Sequence, residues 1–219
     1  MNKVSMTCIV LMASTFLMTG CAVFGQSNVE TAPYTLLKAD ERMKIEVRNY
    51  PAMVLVSADM SGDNRNGAFR KLFRYISGDN QGAQEIAMTA PVFMNGEGAA
   101  EQGNAEEGTE IAMTAPVLMN NQEGNAMMSF VMPKDFTLQT TPKPNDPTLQ
   151  VTALNNYKVA TIQFSGTLSR SNVTEHTQIL QDWLKAQGYV AIGAPIEAGY
   201  NGPMTLPMLR RNEILIAIQ

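Results

Sequence analysis

The sequence is poor in the side chains that most often carry catalysis. Its 219 residues include one histidine and two cysteines. Such small numbers exclude the usual zinc-binding sets and the cysteine–histidine dyads of nucleophilic enzymes. No glycine-rich phosphate loop follows a predicted strand either. The sequence therefore predicts a protein that is not an enzyme and that has no metal-binding cluster of its own.

Positive charge is also scarce. The chain has 16 lysines and arginines against 20 acidic residues, which gives a formal charge of −4 and a pI near 5.1. A general nucleic-acid-binding protein needs a basic surface, so this balance argues against nucleic acid as a partner. Hydrophobic residues make up 45% and charged residues 16% of the chain. These proportions are typical of a globular protein with one domain or two small ones.

An apolar run at the N terminus is too short to span a bilayer. It covers residues 7–18 and is preceded by the positive charge of Lys3. This combination is typical of the hydrophobic region of a signal peptide. We therefore predict that residues 1–20 are a signal peptide.

The end of this segment resembles the lipobox of bacterial lipoproteins. Residues 17–21 read Leu-Met-Thr-Gly-Cys, with small residues just before the cysteine. The resemblance implies cleavage before Cys21 and lipidation of that cysteine. We expect residues 21–33, which are polar from Gln26 to Pro33, to form a tether. Alanine directly after the cysteine, here Ala22, resembles the pattern of lipoproteins that are sorted to the outer membrane. We therefore expect a lipid-anchored protein of the bacterial cell envelope, on the periplasmic face of that membrane. The alternative is an ordinary signal peptide followed by a chance cysteine.

One stretch of the chain is written twice. Residues 85–95 and 110–120 are identical at ten of eleven positions. Alternation of Ile86, Met88 and Ala90 with smaller residues predicts a half-buried strand in each copy. The intervening residues 95–109 are rich in glycine and glutamate, so we expect a hairpin with a long acidic loop. The two strands either add methionine-rich core or form the wall of a pocket for a flat apolar ligand.

The rest of the chain divides into two similar halves. Each half has two predicted strands followed by a helix with apolar residues at helical spacing. A shift of 107 residues places Asn49 and Tyr50 on Asn156 and Tyr157. We expect an α+β fold in which one curved sheet or barrel carries two helices. The predicted elements, with Asn172 as the cap of the second helix, are residues 43–49, 52–58, 67–77, 127–132, 149–154, 159–164, 173–187, 196–200 and 213–218.

A series of motifs resembles the SOUL/haem-binding protein family, in order, along residues 34–218. The resemblance implies a pseudo-two-fold twisted β-barrel of two β-β-α-β halves with two flanking helices, as a single domain at residues 34–219. It also implies that haem or a related tetrapyrrole binds in an apolar groove beside the first helix. The motifs are Phe-Arg-Tyr-Ile-Ser-Gly at 73–78, Ile-Ala-Met-Thr-Ala-Pro-Val in both repeat copies, Phe-Val-Met-Pro at 130–133, Pro-Asn-Asp-Pro at 144–147, Phe-Ser-Gly at 164–166, Ala-Gly-Tyr-Asn-Gly-Pro at 198–203 and Arg-Arg-Asn-Glu at 210–213.

Haem needs an apolar slot and cations for its two propionates. We expect Phe73, Met88 and Met113 to line the slot, although plain hydrophobic core explains each of them individually. The cations of the first helix are the candidates for the propionates, and a solvated basic face is the alternative for them. Family members place basic residues on this helix, and Arg74 matches one such position. The four candidate cations there are Arg65, Arg70, Lys71 and Arg74.

Two further positions bear on the ligand. Family members often carry a lysine on the loop before the last strand, where this chain has Thr205 and Leu206. Arg210 and Arg211 lie nearby and either substitute for that lysine or serve the fold. His176 is the sole histidine and falls on the apolar side of the second helix, so we expect it to make a local hydrogen bond. The resemblance therefore implies haem bound without a strong axial residue, for storage, transfer or scavenging. The alternative function is an effector-binding or peptide-binding module for other apolar ligands, without haem.

Overall fold

The computed structural model describes residues 30–60, 65–90, 92–95, 126–202 and 204–219. The predictions for residues 1–29 and for the second repeat copy lie outside these ranges. No helix in the described ranges has the length and apolar character needed to cross a membrane. The described elements are β1 Glu30–Thr31, β2 Thr35–Asp40, β3 Ile45–Asp59, α1 Arg65–Ile76, β4 Thr89–Ala90, β5 Val92–Asn95, β6 Met127–Val131, β7 Gln150–Phe164, α2 Arg170–Ala186, β8 Ile196–Gly199, a 3-10 turn at Pro207–Leu209 and β9 Asn212–Ala217.

Seven of these strands form one antiparallel sheet, in the order β2-β3-β6-β5-β8-β9-β7, with a further pairing between β3 and β7. The short strands β1 and β4 pair in parallel beside it. Two helices on a mostly antiparallel sheet confirm the predicted α+β class. The predicted twisted barrel is not confirmed as closed, although the β3–β7 pairing brings the strand at one end of this order back to β3.

A long two-stranded ribbon, β3 with β7, runs through the middle of the fold. Its register is constant from the pair Ile45–Ile162 to the pair Ser57–Gln150. The sequence predicted two separate strands in each half, at residues 43–49 and 52–58 and at residues 149–154 and 159–164, and this division is wrong. In this register Pro51 and Asn156 lie opposite each other, and Asn156 takes a backbone φ of 50°. Pro51 has no N–H to donate, and Asn156, which lies opposite it, has an irregular backbone. The ladder of strand pairs is therefore interrupted at this one position, and both strands continue past it.

Each helix covers one hydrophobic cluster. Helix α1 buries Leu72 and Tyr75 in the larger cluster, which holds Met88 and most of the buried methionines. It ends before Gly78, whose φ of 103° is a conformation that glycine adopts readily. Helix α2 buries Leu180, Trp183 and Leu184 in the smaller cluster, together with Ile214 and Ile216 of β9.

The cap of α2 differs from the prediction. The Oγ of Ser169 accepts the backbone N–H of Asn172, so the helix starts at Arg170 rather than after Asn172. The Asn172 side chain instead donates to the carbonyl of Thr167. Serine and asparagine are both favourable N-cap residues. The sequence pattern therefore could not distinguish Ser169 from the predicted cap Asn172.

The first repeat copy contributes two short strands rather than one. Ile86 and Met88 are buried as predicted, but the strand pairing begins at Thr89–Ala90. That segment pairs with Glu30–Thr31, so the last residues assigned to the tether are packed on the domain. Strand Val92–Asn95 pairs with β6 and β8.

Candidate functional site

Helix α1 presents a half-buried aromatic surface. The rings of Phe69 and Phe73 stack with centroids 6.2 Å apart, and Phe69 meets Phe130 edge-on at 5.6 Å. Both helix phenylalanines pack against the larger hydrophobic cluster while keeping part of their surface exposed. Residues four apart lie one above the other on a helix. The two rings therefore form a continuous apolar strip along α1.

The predicted cations lie in the adjacent rows of the same helix. Arg70 and Arg74 are exposed and one turn apart, and the Nε of Arg70 donates to the carbonyl of Asn66 at 3.2 Å. Lys71 donates its Nζ to Thr148 Oγ1 at 3.0 Å, which ties the helix to the loop before β7. The structure therefore brings together four predicted site residues, which are Arg70, Lys71, Phe73 and Arg74.

A carboxylate faces this cationic row. Hydrogen bonds from the hydroxyl and backbone N–H of Thr148 lower the pKa of Asp146, and the charges of Lys71 and Arg74 lower it further. An added carboxylate ligand would compete with Asp146 for the same two cations. The row thus attracts negative charge, and part of that attraction is already satisfied within the chain.

The other predicted site residues lie elsewhere. Met88 is buried in the larger hydrophobic cluster, and Met113 lies outside the described residues. Arg65 is the first residue of α1 and lies near the buried Glu197. Burial raises the pKa of Glu197 to about 7, although the charge of Arg65 acts to lower it. Arg210 donates its Nε to the carbonyl of Thr205 at 2.7 Å, which fixes the loop before β9.

His176 makes the local bond that the sequence predicts. Its Nδ1 lies 2.7 Å from the carbonyl of Asn172, one turn earlier in α2. Its ring stacks on Phe164 with centroids 4.1 Å apart. Both contacts hold the imidazole against the smaller hydrophobic cluster, on α2 and not on α1.

The sequence interpretation missed a buried ionic network at the junction of β3 and β9. Arg48 makes a bidentate pair with Glu213, with Nη1–Oε2 and Nη2–Oε1 distances of 2.7 and 3.0 Å. Arg211 adds Nε and Nη2 bonds to Glu213 Oε1 at 3.0 and 2.6 Å, and the Tyr200 hydroxyl donates to Oε2 at 2.6 Å. Glu46 closes the network by accepting from Arg48 Nε at 2.6 Å.

The network holds Glu213 ionised in the interior. Burial would raise the pKa of this carboxyl, but the two arginines and the Tyr200 hydroxyl outweigh burial and lower it. A fully buried charge is tolerated only when it is paired and hydrogen-bonded, as here. One sequence pattern pointed to these residues, since Tyr200, Arg211 and Glu213 all belong to the motifs that carry the family resemblance.

A small pocket lies over this network. Its volume is about 60 Å³, whereas sites for drug-sized ligands measure roughly 300–1,000 Å³. A tetrapyrrole does not fit inside it. The lining residues are Thr31, Ala32, Tyr34, Tyr50, Ala90, Tyr200 and Arg211.

Comparison with known families decides the classification. The sequence model of the family described as "SOUL heme-binding protein" matches residues 29–102 and 100–217. The chain belongs to the SOUL family. The predicted family is therefore confirmed over nearly the whole described domain. Membership in SOUL makes a tetrapyrrole or another apolar ligand the expected class of partner.

Solved structures share the fold of this SOUL protein at low sequence identity. The C-terminal domain of EcmrR matches with a TM-score of 0.51 and 14% identity, over 80% of this chain and 96% of that chain. A protein described as a hydrolase from Listeria innocua matches with a TM-score of 0.53 and 9% identity, over 81% and 92%. An uncharacterized conserved protein from the same organism matches with a TM-score of 0.53 and 10% identity, over 81% and 93%. Comparison with curated proteins gives no match.

The α1 surface suits the ligand class that the SOUL family implies. A flat macrocycle with two carboxylates needs an apolar strip flanked by cations, and Phe69 with Phe73 beside Arg70 and Arg74 provides both. Among the described residues, no group of three or more histidine, cysteine or acidic side chains is placed to hold a metal ion.

Proposed function

We propose that this SOUL protein binds haem or a related tetrapyrrole on the surface of α1, as a non-enzymatic carrier for storage, transfer or scavenging. The observation that carries the proposal is the row of exposed arginines, Arg70 and Arg74, directly beside the stacked rings of Phe69 and Phe73. A haem laid on the rings keeps its propionates within reach of the guanidinium groups. Arginine suits this task because its planar fork matches a carboxylate.

Charge, rather than iron coordination, provides the polar part of the affinity in this proposal. A hydrogen-bonded ion pair with a carboxylate contributes about 1.5–3 kcal/mol, and less where the surface is wet. Asp146 reduces the gain further, because it already faces Arg74 and Lys71. When haem binds, it supplies the iron and the extended apolar plane, while the chain supplies the apolar strip and the cations.

Haem titration followed by the Soret band tests the proposal. Arg74→Ala should weaken binding by roughly threefold to a hundredfold, at about 1.4 kcal/mol per tenfold. Lys185→Ala is the matched control, because it removes an exposed cation from the other helix. His176→Ala should leave the Soret position and the affinity unchanged.

Two results would contradict the α1 site. The first is the absence of a saturable Soret shift at micromolar haem, which favours the alternative of a module for other apolar ligands or peptides. The second is a spectrum that changes on losing His176 while the Arg74→Ala protein binds normally, which moves the site to α2.

We also propose that the protein is exported and lipid-anchored through Cys21, on the periplasmic face of the outer membrane. The described domain starts at Glu30, so only residues 21–29 separate it from the anchor. Nine residues span at most about 30 Å when extended, which keeps the domain close to the bilayer. The substitution Cys21→Ser should leave the protein soluble or uncleaved in membrane fractionation. A mature, membrane-bound Cys21→Ser protein would rule out this anchor.

The two halves of the domain are, in our proposal, related by a pseudo-two-fold axis through the β3–β7 ribbon. The register supports it, because Tyr50 pairs with Tyr157, the residue on which the 107-residue shift places it. The same 107-residue shift converts β3–β7 residue pairs on one side of the Tyr50–Tyr157 pair into residue pairs on the other side. A crystal structure in which the two halves do not superpose on this axis would refute the proposal.

A further inference from the structure

The small pocket over the ionic network is separate from the α1 surface. No residue of α1 lines the pocket. Its front wall is formed by Thr31, Ala32 and Tyr34, which lie in the segment just before β2. The rear wall holds Tyr50 and Tyr200. Three tyrosine rings and one guanidinium therefore surround a volume of about 60 Å³. The haem proposal uses none of these residues.

The groups that would attract a cation are already occupied from within the chain. Arg211 lies over the ring of Tyr200, with its guanidinium carbon 4.1 Å from the centroid. Arg48 lies in the same way over Tyr34 at 4.5 Å. Glu213 is fully buried behind them and bonded to both arginines. A cationic ligand would have to displace one arginine from both its ring and its carboxylate.

The groups that remain suit an anion. The side chain of Arg211 is 37% exposed, and its bonds to Glu213 use Nε and Nη2 and not Nη1. The Tyr50 hydroxyl accepts from Arg48 at 3.4 Å, and its own hydrogen has no acceptor among the residues that the structure describes. Burial raises the pKa of Tyr50 to about 12, so this hydroxyl keeps its proton at physiological pH. The pocket thus combines a cation and a neutral donor with aromatic walls.

We propose that this pocket binds the carboxylate of a small, flat organic acid, with Arg211 and Tyr50 as donors and the rings of Tyr34 and Tyr200 as walls. Guanidinium–carboxylate pairing is strong and directional, and aromatic walls favour a planar ligand. The volume admits the carboxylate and the adjoining carbons, while the rest of the acid extends to solvent. A free acid and the propionate of a tetrapyrrole share this chemistry, so the experiment has to separate them.

Three fluorinated probes of similar size and different charge test the charge preference by ¹⁹F NMR. The probes are 4-fluorobenzoate, 4-fluorobenzamide and 4-fluorobenzylamine, titrated with the mature chain carrying Cys21→Ser at constant ionic strength. We expect saturable broadening with the benzoate, at least tenfold weaker binding of the amide and no binding of the amine. Preference for the amine, equal binding of benzoate and amide, or no binding of any probe would overturn the proposal.

Variants then locate the site. Arg211→Gln should weaken the benzoate about tenfold or more and remove its advantage over the amide. Tyr34→Ala, which alters an outer wall and keeps the buried ion pairs, should also weaken it and covers the case in which Arg211→Gln fails to fold. Arg74→Gln should bind the benzoate like the wild type. Benzoate binding that falls with Arg74→Gln and survives Tyr34→Ala would place the anion on α1 and refute the pocket.

Competition separates the two sources of carboxylate. Saturating haem should leave benzoate binding unchanged, because the two sites share no residue. Displacement of the benzoate by haem would overturn an independent site for small acids. Since the probes are read without iron, failure of the α1 haem site does not affect this result.

Discussion

At the scale of single residues, Glu197 is the side chain least suited to its surroundings. It is 7% exposed, pairs in register with Met94 and Ile214, and its Oε2 has no hydrogen-bond partner in the described structure. Burial raises its pKa from 4.5 to about 7, although the charge of Arg65 opposes the change. A carboxyl whose pKa rises on folding stabilises the fold at low pH, where it is protonated in both states, and loses that contribution as pH rises towards 7.

Glu197→Gln should therefore stabilise the protein at alkaline pH. A shift of this size corresponds to roughly 3 kcal/mol, so we expect the variant to gain on the order of 2–3 kcal/mol at pH 8 and little at pH 4. Urea unfolding at pH 4, 6 and 8 measures the difference in unfolding free energy. Glu85→Gln, at an exposed position, is the control. A pH-independent difference between Glu197→Gln and the wild type would show that burial does not shift this carboxyl.

Helical spacing was enough to place Arg70, Phe73 and Arg74 on adjoining rows, because neighbours on a helix are close in sequence. The ionic network was not accessible in the same way. Arg48 and Glu213 are 165 residues apart in the chain, and only the strand pairing brings them together. Spacing also cannot distinguish a core methionine from one that lines a ligand slot, so the assignment of Met88 to the slot stays a prediction.

At the scale of elements, the rung of Pro51 and Asn156 allows β3 and β7 to continue as single strands. Asn156 occupies the left-handed region with φ 50°, where asparagine is tolerated and β-branched residues are strained. The neighbouring Asn155 pairs with Ala52 in the regular ladder and is exposed. The two asparagines thus have the same chemistry in different backbone conformations.

Asn156→Val should destabilise the protein by about 1–2 kcal/mol, the typical cost of the left-handed conformation for such a residue. Asn155→Val is the matched control and should be neutral or slightly stabilising, since valine favours strands. The midpoint of denaturant unfolding at pH 7 compares them. Equal effects of the two substitutions would mean that the backbone at residue 156 relaxes without strain.

Elements with a local signal were predictable to within a few residues. The prediction for α1 was residues 67–77 and the structure has Arg65–Ile76, because the apolar stripe and Gly78 define both limits. Strand β2 had no such signal, since Leu36 and Leu37 are both exposed and the alternation is lost. The continuity of β3 was missed because the effect of Pro51 depends on the partner strand.

At the scale of the whole molecule, one ribbon joins the two hydrophobic clusters. Strand β3 contributes Ile45 and Val47 to the cluster under α2, and Val56 and Ala58 to the cluster under α1. Loss of either cluster therefore removes the support for half of the same strand. We expect the domain to unfold as one cooperative unit.

Leu72→Ala tests this cooperativity. Leu72 is fully buried under α1, so its truncation should cost about 2–5 kcal/mol. Trp183 lies in the other cluster and reports unfolding by its fluorescence. The fluorescence transition should shift as far as the circular-dichroism transition that follows the whole backbone. A fluorescence transition that stays at the wild-type midpoint would show that the two clusters unfold separately.

The distribution of methionine between the core and the surface determines how oxidation affects the protein. Six methionines are buried in the larger cluster, whereas Met204 and Met208 are 79% and 73% exposed on the loop before β9. An oxidant such as peroxide therefore reaches the loop first and leaves the folded core unmodified. Once the chain unfolds, every core methionine can become a polar sulfoxide that no longer suits an apolar interior. Unfolding under oxidising conditions then becomes irreversible until a reductase restores the thioethers, so resistance to opening, more than resistance to oxidation, sets the lifetime of the protein.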